Sequence, residues 1–236
     1  MKAAYTGWTW LTAKDAETAK KQLEQSFKEC KFLGYDYVEN FAFIGDYFED
    51  PNELIEMEKR CGVELVNLYG HFGTDVEENI AVGKKQIDFL AAIGGKWYNC
   101  QHGGYFGDGG PLERPTNPEV LDKICAIADT LGAYAKEKGV TLCFHPHYGT
   151  CVFWESDIDY LMAHTDPRYV YLCFDTGHFT FSKMSPRRAH QERVGHPRLA
   201  YMHLKDVDTY ALKTAEVQTK WAHSARSAMA PSTSLL

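Results

Sequence analysis

The chain has 236 residues, 44% hydrophobic and 24% charged, with 25 Lys and Arg against 32 Asp and Glu for a formal charge of −7. Such a length supports a sizeable core in one domain, and the composition excludes a disordered chain. The acidic balance leaves no electrostatic footprint for nucleic acid or an anionic membrane. No apolar run approaches the roughly 18 residues of a membrane span. Seven scattered Cys without a CxxC pair, and an N-terminus lacking a signal peptide's apolar core, predict a reduced cytoplasmic protein.

In chain order, β-rich segments and helical patterns alternate. Strands are predicted at Ala3–Trp8, Tyr35–Phe43, Glu64–Phe72, Lys96–His102, Thr141–His147, Val170–Asp175 and Leu199–Val207. Between the first two, Ala19, Leu23, Phe27, Cys30 and Leu33 form one apolar stripe over Ala16–Leu33, with Gly34 placed to end the helix. Pro51–Cys61 begins with the proline that suits a first helical turn. Asp75–Ile93 and Pro118–Lys138 are longer periodic stretches, stopped by Gly94-Gly95 and Gly139. The glycine-rich run at 103–110 predicts a loop over one end of the fold, or only a long connection.

Alternating strands and helices with short connections imply parallel strands joined by right-handed crossovers. No GxGxxG or P-loop follows a strand, which disfavours a nucleotide-binding open sheet. The strands instead end in Glu39-Asn40, Gly70-His71, Gln101-His102, His145-Pro-His147, Asp175-Thr-Gly-His178 and His203-Leu-Lys205-Asp206. Polar groups at the C-terminal ends of successive parallel strands are where a (β/α)8 TIM barrel builds its active site. After Val207 no clear buried strand follows. Residues 1–208 are therefore read as strands one to seven of the barrel, and 209–236 as an atypical, poorly ordered tail. The last βα unit is absent or altered.

Imidazole and carboxylate at converging strand ends suit a divalent transition metal. On the residues alone, His145, Asp175 and His203 are the candidate ligands, with His147 and His178 behind them. Each has a bland reading as a structural histidine or, for Asp175, a turn cap; their coincidence at consecutive strand ends favours a shared site. His71 and His102 are candidate substrate contacts. Trp8 suits either packing at the barrel bottom or stacking on a sugar ring at the mouth.

The motifs His145-Pro-His147-Tyr-Gly149-Thr150, Asp175-Thr-Gly-His178-Phe-Thr-Phe181 and His203-Leu-Lys205-Asp206-Val207 resemble the xylose isomerase-like sugar phosphate isomerase/epimerase superfamily, and its inosose dehydratase branch most nearly. The resemblance implies one divalent metal at the barrel mouth: manganese or cobalt first, with zinc, iron or magnesium as alternatives. It places ligands at Asp175 and His203, with His145 where other branches carry a Glu. The strand-eight Glu of those branches has no counterpart. His178 matches a substrate-binding histidine, and Glu39, which falls where relatives carry an acid, is counted with His71, His102 and Trp8 as a candidate substrate contact.

The expected chemistry is proton abstraction beside the carbonyl of a sugar or cyclitol, giving a metal-held enediolate and then isomerisation, epimerisation or dehydration. His147 and His178 are the candidate acid and base and Lys205 the oxyanion partner. Alternatives are a non-catalytic, truncated sugar-binding relative and a subunit of a carbon-glycoside-cleaving enzyme. A third, an abasic-site endonuclease, fits poorly with the charge. A homo-oligomer is expected.

Overall fold

The structure, a computed structural model, describes residues 2–73, 75–102, 116–181, 196–208 and 233–235. Seven parallel strands form the wall: β1 (Ala3–Thr6), β2 (Tyr37–Phe41), β3 (Glu64–Phe72), β4 (Trp97–His102), β5 (Thr141–Phe144), β6 (Val170–Asp175) and β7 (Leu199–Leu204). An eighth strand, β8 (Thr233–Leu235), runs antiparallel between β7 and β1 and closes the barrel.

That closure corrects one expectation. The stretch after Val207 shows no strand pattern, yet three of its residues cover the backbone edges that β1 and β7 would otherwise leave open. Three residues are too few for an alternation to register in sequence. The last unit is altered as expected: short and reversed. Residues 209–232 and the glycine-rich run at 103–110 lie outside the described residues.

The helices are α1 (Ala16–Phe32), α2 (Pro51–Cys61), α3 (Val76–Ala92), α4 (Pro118–Glu137), α5 (Glu155–His164) and the short α6 (Thr176–Phe181). Each of the first four starts where a side chain accepts an otherwise orphaned N–H. Asp15 caps Thr18, Asp50 caps Asn52, Asp75 caps Glu78 and Asn117 caps Glu119. Gly34 and Gly139 stand just beyond helix ends at φ 93° and 74°, where a side chain would strain the chain. The stripe of α1 is buried as its spacing predicts, through Ala19, Leu23, Phe27 and Cys30, while Leu33 lies beyond the helix and is exposed.

Five of the seven predicted strands are shorter than read, β1 and β5 among them. The first ends at Thr6, and Gly7–Trp10 forms a 3₁₀ turn. The fifth ends at Phe144, because Pro146 has no N–H to offer a ladder, although His145 N–H still donates to the Cys100 carbonyl at 2.7 Å. Between wall and helices the core holds residues such as Leu23, Phe27, Leu68, Tyr98, Ile124 and Leu142, all fully buried.

Candidate active site

Strand register assembles the site. A register shift between Leu172 and Cys173 sets Asp175 beside His203 across β6 and β7. A second, between Val38 and Glu39, sets Glu39 beside Asn67 across β2 and β3. Side chains alternate along each strand, so residues two apart, such as Cys173 and Asp175, share a face.

His145 Nε2 lies 3.2 Å from Asp175 Oδ2, His203 Nδ1 lies 3.4 Å from the same oxygen, and the two nitrogens are 3.4 Å apart. Donors held at about 2.0–2.1 Å from one cation must themselves be about 3.0–3.4 Å apart. This near-equilateral triangle therefore fits a divalent metal, as do its imidazole and carboxylate donors. All three residues are buried.

The outer atoms of these ligands are also held. His203 Nε2 donates to Glu39 at 3.1 Å, so in the neutral ring Nδ1 carries the lone pair. Glu39 accepts further hydrogen bonds from Thr6 Oγ1 (2.5 Å), Asn67 Nδ2 (2.9 Å) and the Tyr201 hydroxyl (2.8 Å). His145 Nδ1 meets the Tyr69 hydroxyl at 2.8 Å, aiming Nε2 at Asp175. Asp175 Oδ1 accepts from the backbone N–H groups of Gly177 and His178 at 2.9 and 3.0 Å, which turns Oδ2 toward the imidazoles. Outer partners of this kind fix tautomer and ring direction.

Burial alone would raise the Asp175 carboxyl, but the charges of His178 and Lys205 and the hydrogen bonds of His145 and His203 hold it well below the usual range. Glu39 behaves likewise, lowered by His203, Thr6 and Asn67 against its burial. Burial pushes His145 down to about 4, keeping it a neutral donor. His203 is raised against its burial by Cys173, Glu39 and Asp175.

Lys205 Nζ contacts Asp175 Oδ2 at 2.7 Å and stands 3.4 Å from His178 Nε2. His178 Nδ1 accepts the Tyr148 N–H at 3.3 Å, so in its neutral form the proton is on Nε2. His147 is the opposite case: Nδ1 donates to the Tyr148 carbonyl at 2.6 Å, leaving Nε2 as a lone pair. The two rings lie 3.6 Å apart. Burial is the first cause that holds both well below the ordinary imidazole range; a neighbouring imidazole, His145 for His147 and His147 for His178, further disfavours a second proton.

Above this cluster stands an aromatic wall. Trp8 is 47% exposed and packs on Phe41 at 5.7 Å, past the C-terminal end of β1, so it belongs to the mouth and not the bottom. Phe41 also meets Phe43, Tyr69 and His71 at 5.3–5.7 Å. His71 Nδ1 contacts Gln101 Nε2 at 2.5 Å. Gln101 is buried, and its Oε1 finds no partner among the described residues, an acceptor available to a hydroxyl. His102, the neighbouring candidate, falls by alternation on the face of Tyr98, whose hydroxyl reaches Gln86 of α3. It is fully buried. The sequence pair Gln101-His102 held the signal, and only strand parity separates the two.

The family model for the xylose isomerase-like TIM barrel matches residues 27–218. The chain belongs to that family. An inosose dehydratase of Bacillus anthracis is 31% identical over 203 residues, covering 80% of this chain and 65% of that protein. Among solved structures, an L-ribulose 3-epimerase superposes with a TM-score of 0.71 at 14% identity, over 87% of this chain and 70% of that one. The IOLI protein with a binding zinc atom gives 0.65 at 16%, over 88% and 73%. The chain thus spans 65% or less of the length of the inosose dehydratases it matches, down to 42% for one of Clostridium perfringens. Among the described residues no helix is long and apolar enough to cross a membrane.

Proposed function

We propose that this family member is a divalent-metal-dependent enzyme that removes a proton beside the carbonyl of a sugar or cyclitol. Isomerisation, epimerisation and inosose dehydration all share that step. The observation that carries the reading is the triangle of His145 Nε2, Asp175 Oδ2 and His203 Nδ1, with edges of 3.2–3.4 Å. The relatives named as inosose dehydratases favour an inosose as the substrate to try first.

His145, Asp175 and His203 would hold the metal, whose chemistry there is to polarise a carbonyl and the neighbouring hydroxyl. His147 Nε2, with its lone pair fixed by the Tyr148 carbonyl, is the base that takes the proton from carbon. The Lys205 ammonium, largely buried beside Asp175, would face the oxygen on which enediolate charge develops. His178 Nε2–H is the donor placed to give a proton, to the leaving hydroxyl in a dehydration or back to carbon in an isomerisation. Trp8 and Phe41 offer flat faces to the apolar side of a ring. Gln101 Oε1 and His71 would read its hydroxyls.

The test is elemental analysis of the purified chain with Asp175→Ala and His203→Ala alongside, followed by an assay on inososes and ketoses. About one manganese, cobalt, iron or zinc per chain, lost in both variants, is the expected result. A chain that binds no metal with manganese and cobalt supplied would leave a non-catalytic sugar-binding relative as the better reading.

A further inference from the structure

Among the described residues of the cluster, Cys173 is a polarisable group that the proposed chemistry leaves idle. It precedes Asp175 by two residues on β6, so its side chain faces the same way about one layer, roughly 7 Å, deeper in the barrel. It is fully buried, and Asn99 Nδ2 donates to its Sγ at 3.7 Å.

Two groups of three donors meet here. One donor atom each from His145, Asp175 and His178 lie within 4.8 Å of one another, and so do one each from His145, Cys173 and His203. His145 belongs to both. The first group shares His145 and Asp175 with the proposed catalytic triangle at the mouth; the second shares His145 and His203 with that triangle and lies below, where the sulfur of Cys173 takes the place of the Asp175 oxygen.

We propose that the barrel offers two alternative cation positions, and that a thiophilic divalent ion such as zinc or cadmium takes the lower one, bound by His145, Cys173 and His203. Thiolate and imidazole select zinc, whereas manganese and magnesium prefer carboxylate and water, and of the two groups the upper contains the carboxylate. On binding, the Cys173 S–H bond breaks, the proton leaves to solvent and sulfur donates its electron pair to the ion. The thiolate and the cation offset each other's charge in a dry interior, where either alone would be costly. Because His145 and His203 also serve the proposed catalytic metal, an ion held below withdraws ligands from the site above. Zinc would therefore inhibit a manganese-loaded chain.

The fully buried Cys100 and Cys143 provide internal controls, since neither belongs to a cation-holding group among the described residues. The experiment is zinc K-edge X-ray absorption on the whole chain loaded with one equivalent of zinc. A single sulfur at about 2.3 Å, beside nitrogen at about 2.0–2.1 Å, is expected in the wild type and in Cys143→Ser, and is expected to vanish in Cys173→Ser.

A wild-type shell of nitrogen and oxygen only, a sulfur that survives Cys173→Ser, or no stoichiometric zinc would each overturn the inference. Should Cys173→Ser fail to fold, loss of the sulfur in Cys100→Ser or Cys143→Ser would overturn it, and retention in both would support it. Manganese binding, followed by the resonance of the free ion, keeps this separate from the proposed function. Intact manganese binding with no zinc–sulfur shell removes only the lower position. A zinc–sulfur shell without manganese binding removes only the upper one.

Discussion

Replacing Glu39 with Gln keeps the side-chain volume and removes one charge at the far side of the His203 ring. Four donors converge on this carboxylate: Thr6, Asn67, Tyr201 and His203. The Thr6 hydroxyl can turn and accept from the new amide. Oε1 then still receives Asn67, Tyr201 and His203, but as a neutral acceptor.

Hydrogen bonds to a charged group contribute about 1.5–3 kcal/mol against about 0.5–1.5 for neutral ones. The weakened bond to His203 costs about 1 kcal/mol in ring orientation, and lost polarisation of Nδ1 adds to it. Substituting the outer partner of a ligating histidine lowers metal affinity about 10–100-fold. The expected result is a manganese dissociation constant raised by that factor, about 1.4–2.7 kcal/mol, measured from the free-ion resonance. The thermal midpoint should fall by only a few degrees, at about 2–4 °C per kcal/mol for a domain of this size. Manganese affinity within about twofold of the wild type, in a folded variant, would refute the claim that Glu39 orients His203 as a ligand.

Three further outcomes follow from the same geometry. Lys205→Met removes a positive charge 2.7 Å from Asp175 Oδ2 and should tighten manganese binding about tenfold while abolishing turnover; weaker binding would show that Lys205 supports the metal. Glu58 is buried, accepts the Leu65 N–H at 2.7 Å and is raised by burial to about 7 from 4.5. Its folded pKa exceeds the unfolded one, so its contribution is complete below pH ~4 and is lost as pH rises through about 7. Glu58→Gln should therefore gain up to about 2–3 kcal/mol relative to wild type at pH 8 and little at pH 4, read from denaturant midpoints; an equal effect at both would refute it. Gly70→Ala would place a methyl 2.0 Å from the Tyr98 hydroxyl, severing its bond to Gln86, and should destabilise by about 3 kcal/mol or more in thermal melts.

Much of this protein is local and therefore legible in its sequence. The apolar stripe of α1, the Asp and Asn caps and the glycines at positive φ each depend on residues within a turn or two. β3 and β6 match their read boundaries because their apolar runs stop at turn signals. The strand-end histidines and Asp175 were visible for the same reason. A parallel barrel must put the C-terminal ends of its strands on one rim, so neighbours on the rim can be inferred without coordinates.

Tertiary structure alone decided the rest. Whether His102 or Gln101 faces the mouth turns on a one-residue parity that composition does not encode. The role of Glu39 as the partner of His203, 164 positions away, required two register shifts and a closed ring. The tautomers of His147 and His178 follow from the Tyr148 carbonyl and N–H, which point at them only once the turn after β5 has formed. Cys173 read as one of seven scattered cysteines until the barrel brought two imidazoles to its sulfur. β8 exists because β1 and β7 leave backbone groups to be paired, a requirement of the closed sheet that three residues of sequence cannot announce.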